Sequence, residues 1–492
     1  MFLGIDLGLG SLKASVVAVD GALVGEVSAA VGTNNPAPGI AEQNPHDWDK
    51  ALALVLSQLN QRGLLATIEA ISFTAGTHST VLLDEAGQVL RPAIMWADQR
   101  SAAEADELNA RLQDRLIAIG HNRAAPTWSI APLLWLTRHE PEIVARVRRI
   151  TFVKDWLRGL LTNDTLTDWV DAQGSLMLDV DACAWSEELC DAIGWDMTTL
   201  PLLRGPTDLA GHVTPEAAAK YGIKAGTPVY VGTCDTAAEV WSAGAVELGN
   251  AVVKLASAGV VNIISDRPTK RPDAPSKRFV VPHLYYALGA INSCASAHKW
   301  LTDILLDGEG AEDFTKLDAL AEAIAPGSGG VMFHPYLMGE RAPYWDPALR
   351  ASFIGMNLTH GRGHLVRAFY EGIAFALRDA ARPLQDAGLS LGSAALIGGG
   401  AKSEVWAQTI ADVLQIPLRR PKHGDASYGA ALIAAVGVGA FPDPITAVRK
   451  CVRFGEPFLP RQDNRVTYDR LFDRYRRSKD LLTALNHEIS AG

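Results

Sequence analysis

Two aspartates, each at the end of an apolar run, are the strongest candidates for chemistry. Asp6 follows "FLGI" and precedes a turn that contains Gly8, Gly10 and Ser11, while Asp235 ends "VYVGTCD" before the helix-prone "TAAEV". A carboxylate at the mouth of a strand can accept a proton or hold a hydrated metal ion. Asp is also common in tight turns and as a helix N-cap. The residues alone leave both alternatives open at each position.

A second turn, "LIGGGAKSEVW" (396–406), places three consecutive glycines between an apolar strand and a helix. Glycines let a ligand approach the main chain closely, and the following helix N-terminus favours an anion. A plain tight turn would also use glycine, but three in a row favour ligand binding. The turn after Asp6 is neither GxGxxG nor a Walker A loop, because no GK[ST] follows.

His78, in "TAGTHSTVLL", is a further candidate, although a lone histidine is more often structural. Cys234 most simply fills a small buried space, since no basic neighbour would activate its thiol. The five cysteines form no CxxC pair. This favours free thiols in a cytoplasmic protein over a disulfide framework or a zinc site.

Taken together, the aspartates and glycine turns suit phosphoryl transfer from a nucleotide. That reaction needs backbone donors for phosphates, a carboxylate that holds Mg²⁺ through water, and a second carboxylate that accepts the proton of the attacking hydroxyl. Asp6, the two glycine turns and Asp235 can supply all three.

The composition supports a folded enzyme rather than a nucleic-acid or membrane protein. The chain has 492 residues, 48% of them hydrophobic, and a formal net charge of −10 without a block of basic residues. Nucleic acid and acidic membranes are therefore not expected partners. The N-terminus resembles no signal peptide, and the longest apolar stretch is shorter than the ~18 residues of a membrane span. A small-molecule substrate is the expected partner, and a homodimer is left open.

Apolar strands alternate with helical patterns, which predicts an α/β fold. The layout of residues 2–20 returns near residue 248, so we expect two similarly built domains, 1–245 and 246–492, with a cleft between them. Asp235 lies close to their join, where small-molecule sites concentrate. The polar stretch 265–278 is expected to be a surface loop. The last helix, about 467–486, is amphipathic, and one arrangement is that it packs back on the first domain.

Several segments resemble the FGGY family of carbohydrate kinases, within the actin-like ATPase group. The resemblance extends over nearly the whole chain, and the nearest subfamily is xylulokinase. The most specific segment is "HPYLMGERAPYWDPALRASFIGMNLTHGRGHLVRAFYEGIAFALRD", which is similar to the family's second signature. The other similar segments are "GIDLG", "GTHSTVLLDEAGQVLRPAIMWADQR", "APLLWLTRHEPEI", "VKDWLRGLLT", "GTCDTAA" and "LIGGGAKSEVWAQTIADVL".

The resemblance implies two ribonuclease-H-like domains that close over Mg-ATP and a sugar. It implies transfer of the γ-phosphate to a hydroxyl of a pentulose such as xylulose, with Asp235 as general base. Asp6 would organise Mg²⁺, and Asp235 would reach the metal through water. The implied sugar-binding residues are Thr77, His78, Trp96, Asp235 and Thr236. The implied nucleotide-binding residues are Gly8, Gly10, Ser11, Ser257, Gly399, Gly400, Ala401 and Ser403.

The chain departs from the family pattern at both ends of the expected site. The second phosphate loop is Ala-Ser-Ala-Gly at 256–259 instead of the usual Gly-Thr-Ser-Gly, and Pro132 replaces the first signature's Lys. Xylulokinases usually carry Asn where this chain has Thr236 and Met where it has Thr77. These changes leave open ribulose, L-xylulose, gluconate or erythritol as acceptor. They also leave open a catalytically weak, actin-like nucleotide and sugar sensor.

Overall fold

The computed structural model describes residues 1–306 and 314–491, which are built around two six-stranded sheets. The strands before residue 246 are β1 (Phe2–Leu7), β2 (Ser11–Val17), β3 (Leu23–Ala30), β4 (Glu42–Gln43), β5 (Ala70–Ala75), β6 (Thr80–Leu83), β7 (Ala93–Ile94), β8 (Arg149–Phe152), β9 (Leu166–Asp168), β10 (Leu178–Asp179), β11 (Ala184–Trp185), β12 (Leu202–Arg204), β13 (Leu209–His212) and β14 (Pro228–Cys234). The helices of this part are α1 (Pro45–Gln61), α2 (Ala102–Gly120), α3 (Ile130–His139), α4 (Pro141–Val144), α5 (Val153–Thr162), α6 (Trp169–Gly174), α7 (Glu187–Asp191), α8 (Pro215–Tyr221) and α9 (Asp235–Ser242).

The rest of the chain repeats this mixture of strands and helices. Its strands are β15 (Asn250–Leu255), β16 (Gly259–Ser265), β17 (Ser276–Arg278), β18 (Tyr285–Ile291), β19 (Met332–His334), β20 (Ser352–Ile354), β21 (Ser393–Ile397) and β22 (Leu418–Arg419). Its helices are α10 (Ala295–Leu306), α11 (Thr315–Glu322), α12 (Arg362–Asp386), α13 (Glu404–Leu414), α14 (Ala426–Gly437), α15 (Pro444–Cys451) and α16 (Gln462–Ala491). Short 3₁₀ turns occupy Leu65–Thr67, Met197–Thr199, Ser328–Gly330 and Gly399–Lys402.

The first sheet, in the order β13-β14-β5-β1-β2-β3, brings the two candidate aspartates to one edge. Strands β1, β5 and β14 run parallel, so their carboxyl ends lie on the same side. Asp6 is level with Thr74 of β5, and Cys234, which precedes Asp235, is level with Ala75. The two aspartates therefore flank the end of β5.

The second sheet, in the order β17-β18-β16-β15-β21-β22, repeats the core of the first. The antiparallel hairpin β15–β16 corresponds to β1–β2, and the parallel neighbour β21 corresponds to β5. Lys254 of β15 is level with Ile397 of β21, so the turn at 256–258 and the turn that begins at Gly398 lie at one edge. This confirms the α/β prediction and the two similar sheets.

Helix α14 comes from the later part of the chain but packs on the first sheet. Gly4 of β1 makes this contact close, because a Cβ there would lie 1.9 Å from the main-chain oxygen of Ser427. The hydroxyls of Ser15 and Ser427 are 2.7 Å apart in the same interface. The two sheets are thus joined by more than the chain connection near residue 246.

The last helix, α16, packs on the second sheet's layer rather than back on the first domain. Tyr468, Phe472 and Tyr475 are buried in the core that α12 and α13 share. The hydroxyls of Tyr475 and Tyr336 are 2.8 Å apart. The arrangement with α16 on the first domain is therefore wrong, and the helix is longer than the 467–486 expected from the sequence.

All five cysteines are free, and Cys183 is the one that is partly exposed. Within residues 1–306 and 314–491, no helix is long and apolar enough to cross a lipid bilayer.

Candidate active site

Asp235 is the first residue of α9, and its two carboxylate oxygens have different surroundings. Oδ1 accepts hydrogen bonds from the main-chain N–H of Thr236 at 2.6 Å and from the Thr236 hydroxyl at 3.2 Å. Cys234, not Asp235, occupies the N-cap position. In the described part of the chain, Oδ2 has no hydrogen-bond donor and lies 4.0 Å from the position of a Cβ on Gly76. Asp235 is therefore held by one oxygen and presents the other.

Gly76 and Trp96 form the floor beside this oxygen. A Cβ at Gly76 would lie 3.2 Å from the indole ring of Trp96, so only glycine leaves the ring in place. The Trp96 side chain is 42% exposed although it is large and apolar. An exposed ring beside a carboxylate is a suitable platform for the C–H face of a sugar. We call the space bounded by Asp235 Oδ2, Gly76 and Trp96 the acceptor recess.

Asp6 lies across β5 from Asp235 in an acidic environment. Burial, followed by the charges of Asp235, Asp425 and Glu239, raises the pKa of Asp6 well above its usual value. Lys13 is 2.9 Å from Asp425, and in a similar pair Lys254 is 2.6 Å from Glu239. These ammonium groups offset part of the negative charge, but the surroundings of Asp6 favour a bound cation.

The surroundings of Asp6 fit a hydrated Mg²⁺. Its Oδ1 is buried and has no hydrogen-bond partner among the described residues, which is costly unless a ligand satisfies it. The described residues contain no group of three His, Cys, Asp or Glu side chains that would hold a metal ion by themselves. Mg²⁺ commonly keeps several waters and takes its other oxygens from one or two carboxylates and substrate phosphates. Asp6 and Asp235 could serve in this way.

Helix α6 orients the two predicted sugar-binding residues Thr77 and His78. The Thr77 hydroxyl donates to Asp171 Oδ1 at 2.8 Å, and His78 Nδ1 lies 2.6 Å from the carbonyl oxygen of Gly174. Since a carbonyl only accepts, Nδ1 carries the proton and Nε2 is an acceptor. Burial and then the Lys277 ammonium lower the pKa of His78 well below its usual value, so the ring is neutral.

A buried ionic cluster beneath α6 holds it against β14. Lys154 Nζ lies 2.6 Å from Asp155, 3.0 Å from Asp168 and 3.5 Å from Asp171. The hydroxyl of Thr233, two residues before Asp235, donates to Asp168 at 2.8 Å. Burial raises the pKa of Asp171 to about 7 although Lys154 opposes the shift. The cluster thus connects the strand that carries the catalytic candidate to the helix that orients the sugar-binding candidates.

None of the four charged residues in this cluster was among the predicted site residues. Lys154 and Asp155 lie in the segment "VKDWLRGLLT", and Asp168 and Asp171 lie in "TDWVDAQG". Charged residues inside otherwise apolar segments were the available signal, because such groups are seldom buried unless they are paired.

The predicted phosphate turns lie at the carboxyl ends of β1 and β15. Gly10 and Ser11 are exposed, whereas the N–H of Gly8 donates to the carbonyl oxygen of Ser11 at 3.0 Å within the turn. Ser257 is also exposed, and its carbonyl oxygen accepts from the hydroxyl of Ser296 at 2.8 Å. The hydroxyls of Ser11 and Ser257 thus lie at exposed positions in these turns.

The third glycine turn divides into an exposed and a buried part. Gly399 is exposed, and a Cβ there would meet nothing within 4 Å. Gly400 is buried, with its Cβ position 2.8 Å from Leu255 and from the Trp406 ring. Ala401 is buried as well. The exposed surface that this turn offers to a nucleoside is therefore centred on Gly399.

Ser403, which was predicted to contact the nucleotide, is the N-cap residue of α13. Its hydroxyl is buried, accepts from the N–H of Trp406 at 2.9 Å as the N-cap of α13, and donates to Asp318 at 2.7 Å. Both functions of the hydroxyl are used within the protein, and the contact of Ser403 with the nucleotide stays a prediction.

Two further residues, Trp128 and Lys277, lie beside His78. The ring centroids of Trp128 and His78 are 4.5 Å apart, and Lys277 Nζ lies 4.8 Å from the centroid of Trp128. Lys277 belongs to the stretch 265–278, which was expected to be a surface loop. That prediction is wrong at its end, because Ser276–Arg278 forms β17 and both Ser276 and Lys277 are buried.

Models of the two domains of the FGGY family of carbohydrate kinases match this chain. The N-terminal domain matches residues 1–241, and the C-terminal domain matches residues 257–438.

Individual relatives agree with this result over nearly the full chain. The xylulose kinase of Bacillus subtilis (strain 168) is 32% identical over 496 residues, which cover 98% of each chain. The gluconokinase of the same organism is 28% identical over 481 residues, covering 95% of this chain and 93% of the relative. A solved xyloylose kinase from Brucella ovis superposes with a TM-score of 0.92 at 32% identity, covering 98% of this chain and 99% of that one.

Proposed function

Since the chain belongs to the FGGY family of carbohydrate kinases, with its two-domain actin-like ATPase fold, we propose that it transfers the γ-phosphate of Mg-ATP to a sugar hydroxyl with Asp235 as general base. The observation that carries this proposal is the unequal use of the Asp235 oxygens. Oδ1 is held by the N–H and hydroxyl of Thr236, whereas Oδ2 faces the acceptor recess. A base must be fixed in position and keep one oxygen available for the proton.

The acceptor is bound by residues on both sides of the recess. Trp96 supports the apolar face of the sugar, and neutral His78 accepts a hydrogen bond from a sugar hydroxyl at Nε2. Thr77 and Thr236 line the site with hydroxyls that already donate to Asp171 and Asp235, so each offers lone pairs to the sugar. A pentulose such as xylulose has the hydroxyl groups that this arrangement requires, and xylose metabolism is the corresponding pathway.

The nucleotide is bound by turns from both sheets. Gly8, Gly10, Ser11 and Ser257 surround the phosphates, and Gly399 lies beside the nucleoside, with Gly400 and Ala401 supporting the turn. When bound, Mg²⁺ neutralises charge that develops on the transferred phosphoryl group. Asp6 holds the hydrated ion and Asp235 contacts it through water.

The proposed domains are 1–245 and 246–492, since each contains one six-stranded sheet, with α14 as the element that crosses between them. The five free cysteines suit a reducing compartment, and we assign the enzyme to the cytoplasm.

A coupled assay of ADP release, with and without acceptor, tests the proposal. The panel contains D-xylulose, L-xylulose, ribulose, gluconate and erythritol, each with Mg-ATP. We expect ADP release that depends on acceptor. Binding of nucleotide and sugar without turnover for any acceptor would instead identify a sensor that has kept the fold and lost the reaction.

A further inference from the structure

Lys277 is a buried lysine that has no ion-pair partner in the described part of the chain. Its side chain is 5% exposed, and among residues 1–306 and 314–491 no Asp or Glu oxygen lies within 4.0 Å of Nζ. Asp168 and Asp171, which act on its pKa, are already within 3.0 and 3.5 Å of Lys154. Burial lowers the pKa of Lys277, because a buried ammonium without an ion pair is unfavourable. An anion that arrives from outside the protein would pair with the ammonium and favour its charged form.

The strand that carries Lys277 is held firmly in place. Gln173 of α6 donates from Nε2 to the carbonyl oxygen of Ser276 at 2.9 Å and accepts the N–H of Arg278 at its Oε1 at 2.7 Å. The side-chain amide therefore pairs with the free edge of β17 on both sides of Lys277. Because side chains alternate along a strand, Lys277 points to the face opposite to that of Ser276 and Arg278.

The face of β17 that carries Lys277 belongs to the sugar side of the site. Its Nζ lies over the ring of Trp128, whose other neighbour is the His78 ring. After burial, the charge of Lys277 is the next cause that lowers the pKa of His78, in agreement with their shared contact with Trp128. Asp235 is one of the carboxylates whose charge acts on Lys277. The ammonium thus lies, through the Trp128 ring, on the side of the site that carries His78.

We propose that Lys277 binds a carboxylate of the acceptor, so that the preferred substrate is a sugar acid and not a neutral pentulose. This rests on the proposed kinase function and replaces the pentulose named there by a sugar acid as the preferred acceptor. The carboxylate lies at the end of the sugar away from the reacting hydroxyl, because Asp235 would repel it there. A single ammonium balances one negative charge, which matches the charge of a carboxylate, whereas the phosphate of a sugar phosphate carries about −1.5 to −2 at pH 7.

Acceptors that differ only in the acid group test this proposal. Xylonate is compared with xylitol, and gluconate with sorbitol, for the wild type, Lys277→Met and the control Lys270→Met. Lys270 lies in the same segment but is exposed and pairs with Asp181 at 2.5 Å. We expect the wild type to favour each acid, and Lys277→Met to lower the acid-to-polyol ratio of kcat/KM by roughly 10- to 150-fold, as for loss of a charged hydrogen bond. Lys270→Met should keep the wild-type ratio.

Thermal unfolding without nucleotide gives a second readout. Removing an unpaired buried charge should raise the Tm of the free protein, and the rise in Tm that xylonate or gluconate gives to the wild type should disappear in Lys277→Met. A lysine that merely balances the buried aspartates would instead give a lower Tm when replaced.

The outcomes separate this inference from the proposed function. A wild type that phosphorylates xylulose or the polyols better than the acids, with a ratio unchanged in Lys277→Met, would overturn the sugar-acid assignment and leave the kinase intact. Stronger binding of ribose 5-phosphate than of either acid would also overturn it, by identifying phosphate as the anion. ADP release that no acceptor stimulates would contradict the kinase itself.

Discussion

Gly174, the last residue of α6, is predicted to be required for sugar binding although it contacts no reacting atom. A Cβ at this position would lie 2.3 Å from the Thr77 hydroxyl and 3.1 Å from His78 Nδ1. Contacts this short force Thr77 and His78 to move in Gly174→Ala. The Thr77 hydroxyl then loses its bond to the Asp171 carboxylate, and His78 loses its bond to the Gly174 carbonyl.

The magnitude follows from these two contacts. Above about pH 7, where Asp171 is ionised, its hydrogen bond from Thr77 counts as one to a charged group and contributes about 1.5–3 kcal/mol, and the neutral bond of His78 contributes about 0.5–1.5 kcal/mol. Replacing a helical glycine by alanine returns about 0.5–1 kcal/mol through backbone entropy. We therefore expect a net loss of about 1–4 kcal/mol in the free energy of unfolding, measured by urea denaturation above pH 7.

Kinetics of Gly174→Ala distinguish a site effect from general destabilisation. We expect KM for the acceptor to rise roughly 10-fold or more, in line with an orientation loss of about 1.4 kcal/mol, while KM for ATP changes far less. Gly159→Ala in α5 is the matched control, since its Cβ would lie at an ordinary 3.4 Å from the Asp164 carbonyl oxygen. An acceptor KM in Gly174→Ala equal to that of Gly159→Ala would refute the role given to α6.

Three further substitutions test other parts of the site. Thr236→Asn should change the ratio of kcat/KM between acceptors by roughly 5- to 150-fold, because the longer amide can form hydrogen bonds with two adjacent sugar hydroxyls. If the order of kcat/KM across pentuloses and polyols stays the same, Thr236 does not determine specificity. In the folded state Asp171 stays protonated up to about pH 7, whereas in the unfolded chain it loses its proton near pH 4. The stability that Asp171 contributes therefore falls as pH rises from about 4 to 7. In urea titrations, the free energy of unfolding of Asp171→Asn should therefore rise relative to that of the wild type across this pH range. A difference between the two proteins that does not change with pH would contradict the raised pKa of Asp171. A Cβ at Gly399 would meet nothing within 4 Å, so we expect Gly399→Val to fold normally. The variant should have a higher KM for ATP and unchanged acceptor binding. A wild-type KM for ATP in this variant would exclude the turn from the nucleotide site.

The positions of Asp6 and Asp235 could be predicted because each follows a local pattern. An apolar run that ends in a carboxylate indicates a buried strand and its terminus, and parallel strands bring such termini together. The same reasoning located the glycine turns. The segment "GGGAKSE" is compatible with both a ligand turn and a helix N-cap, and the structure shows that Ser403 is the cap.

The ionic cluster and Lys277 could not be found in this way, because their partners are remote in the chain. Lys154 and Asp171 are seventeen positions apart, and Gln173 contacts β17 about a hundred residues later. The stretch 265–278 is polar enough to predict a loop, but near its end Ser276 and Lys277 are buried in β17, which pairs with β18 and contacts Gln173 of α6. For α16, the amphipathic pattern predicted an apolar face but could not identify the core that it covers.

The most direct test of the central claim is the turnover number of Asp235→Asn with its best acceptor, measured beside acceptor binding. The amide keeps the size of the side chain and an acceptor oxygen for Thr236 but cannot take the proton. We predict that kcat falls by roughly 10²–10⁴-fold while the Kd of the acceptor, measured calorimetrically without ATP, stays close to that of the wild type. A near-normal kcat in this variant would contradict the assignment of Asp235 as the base.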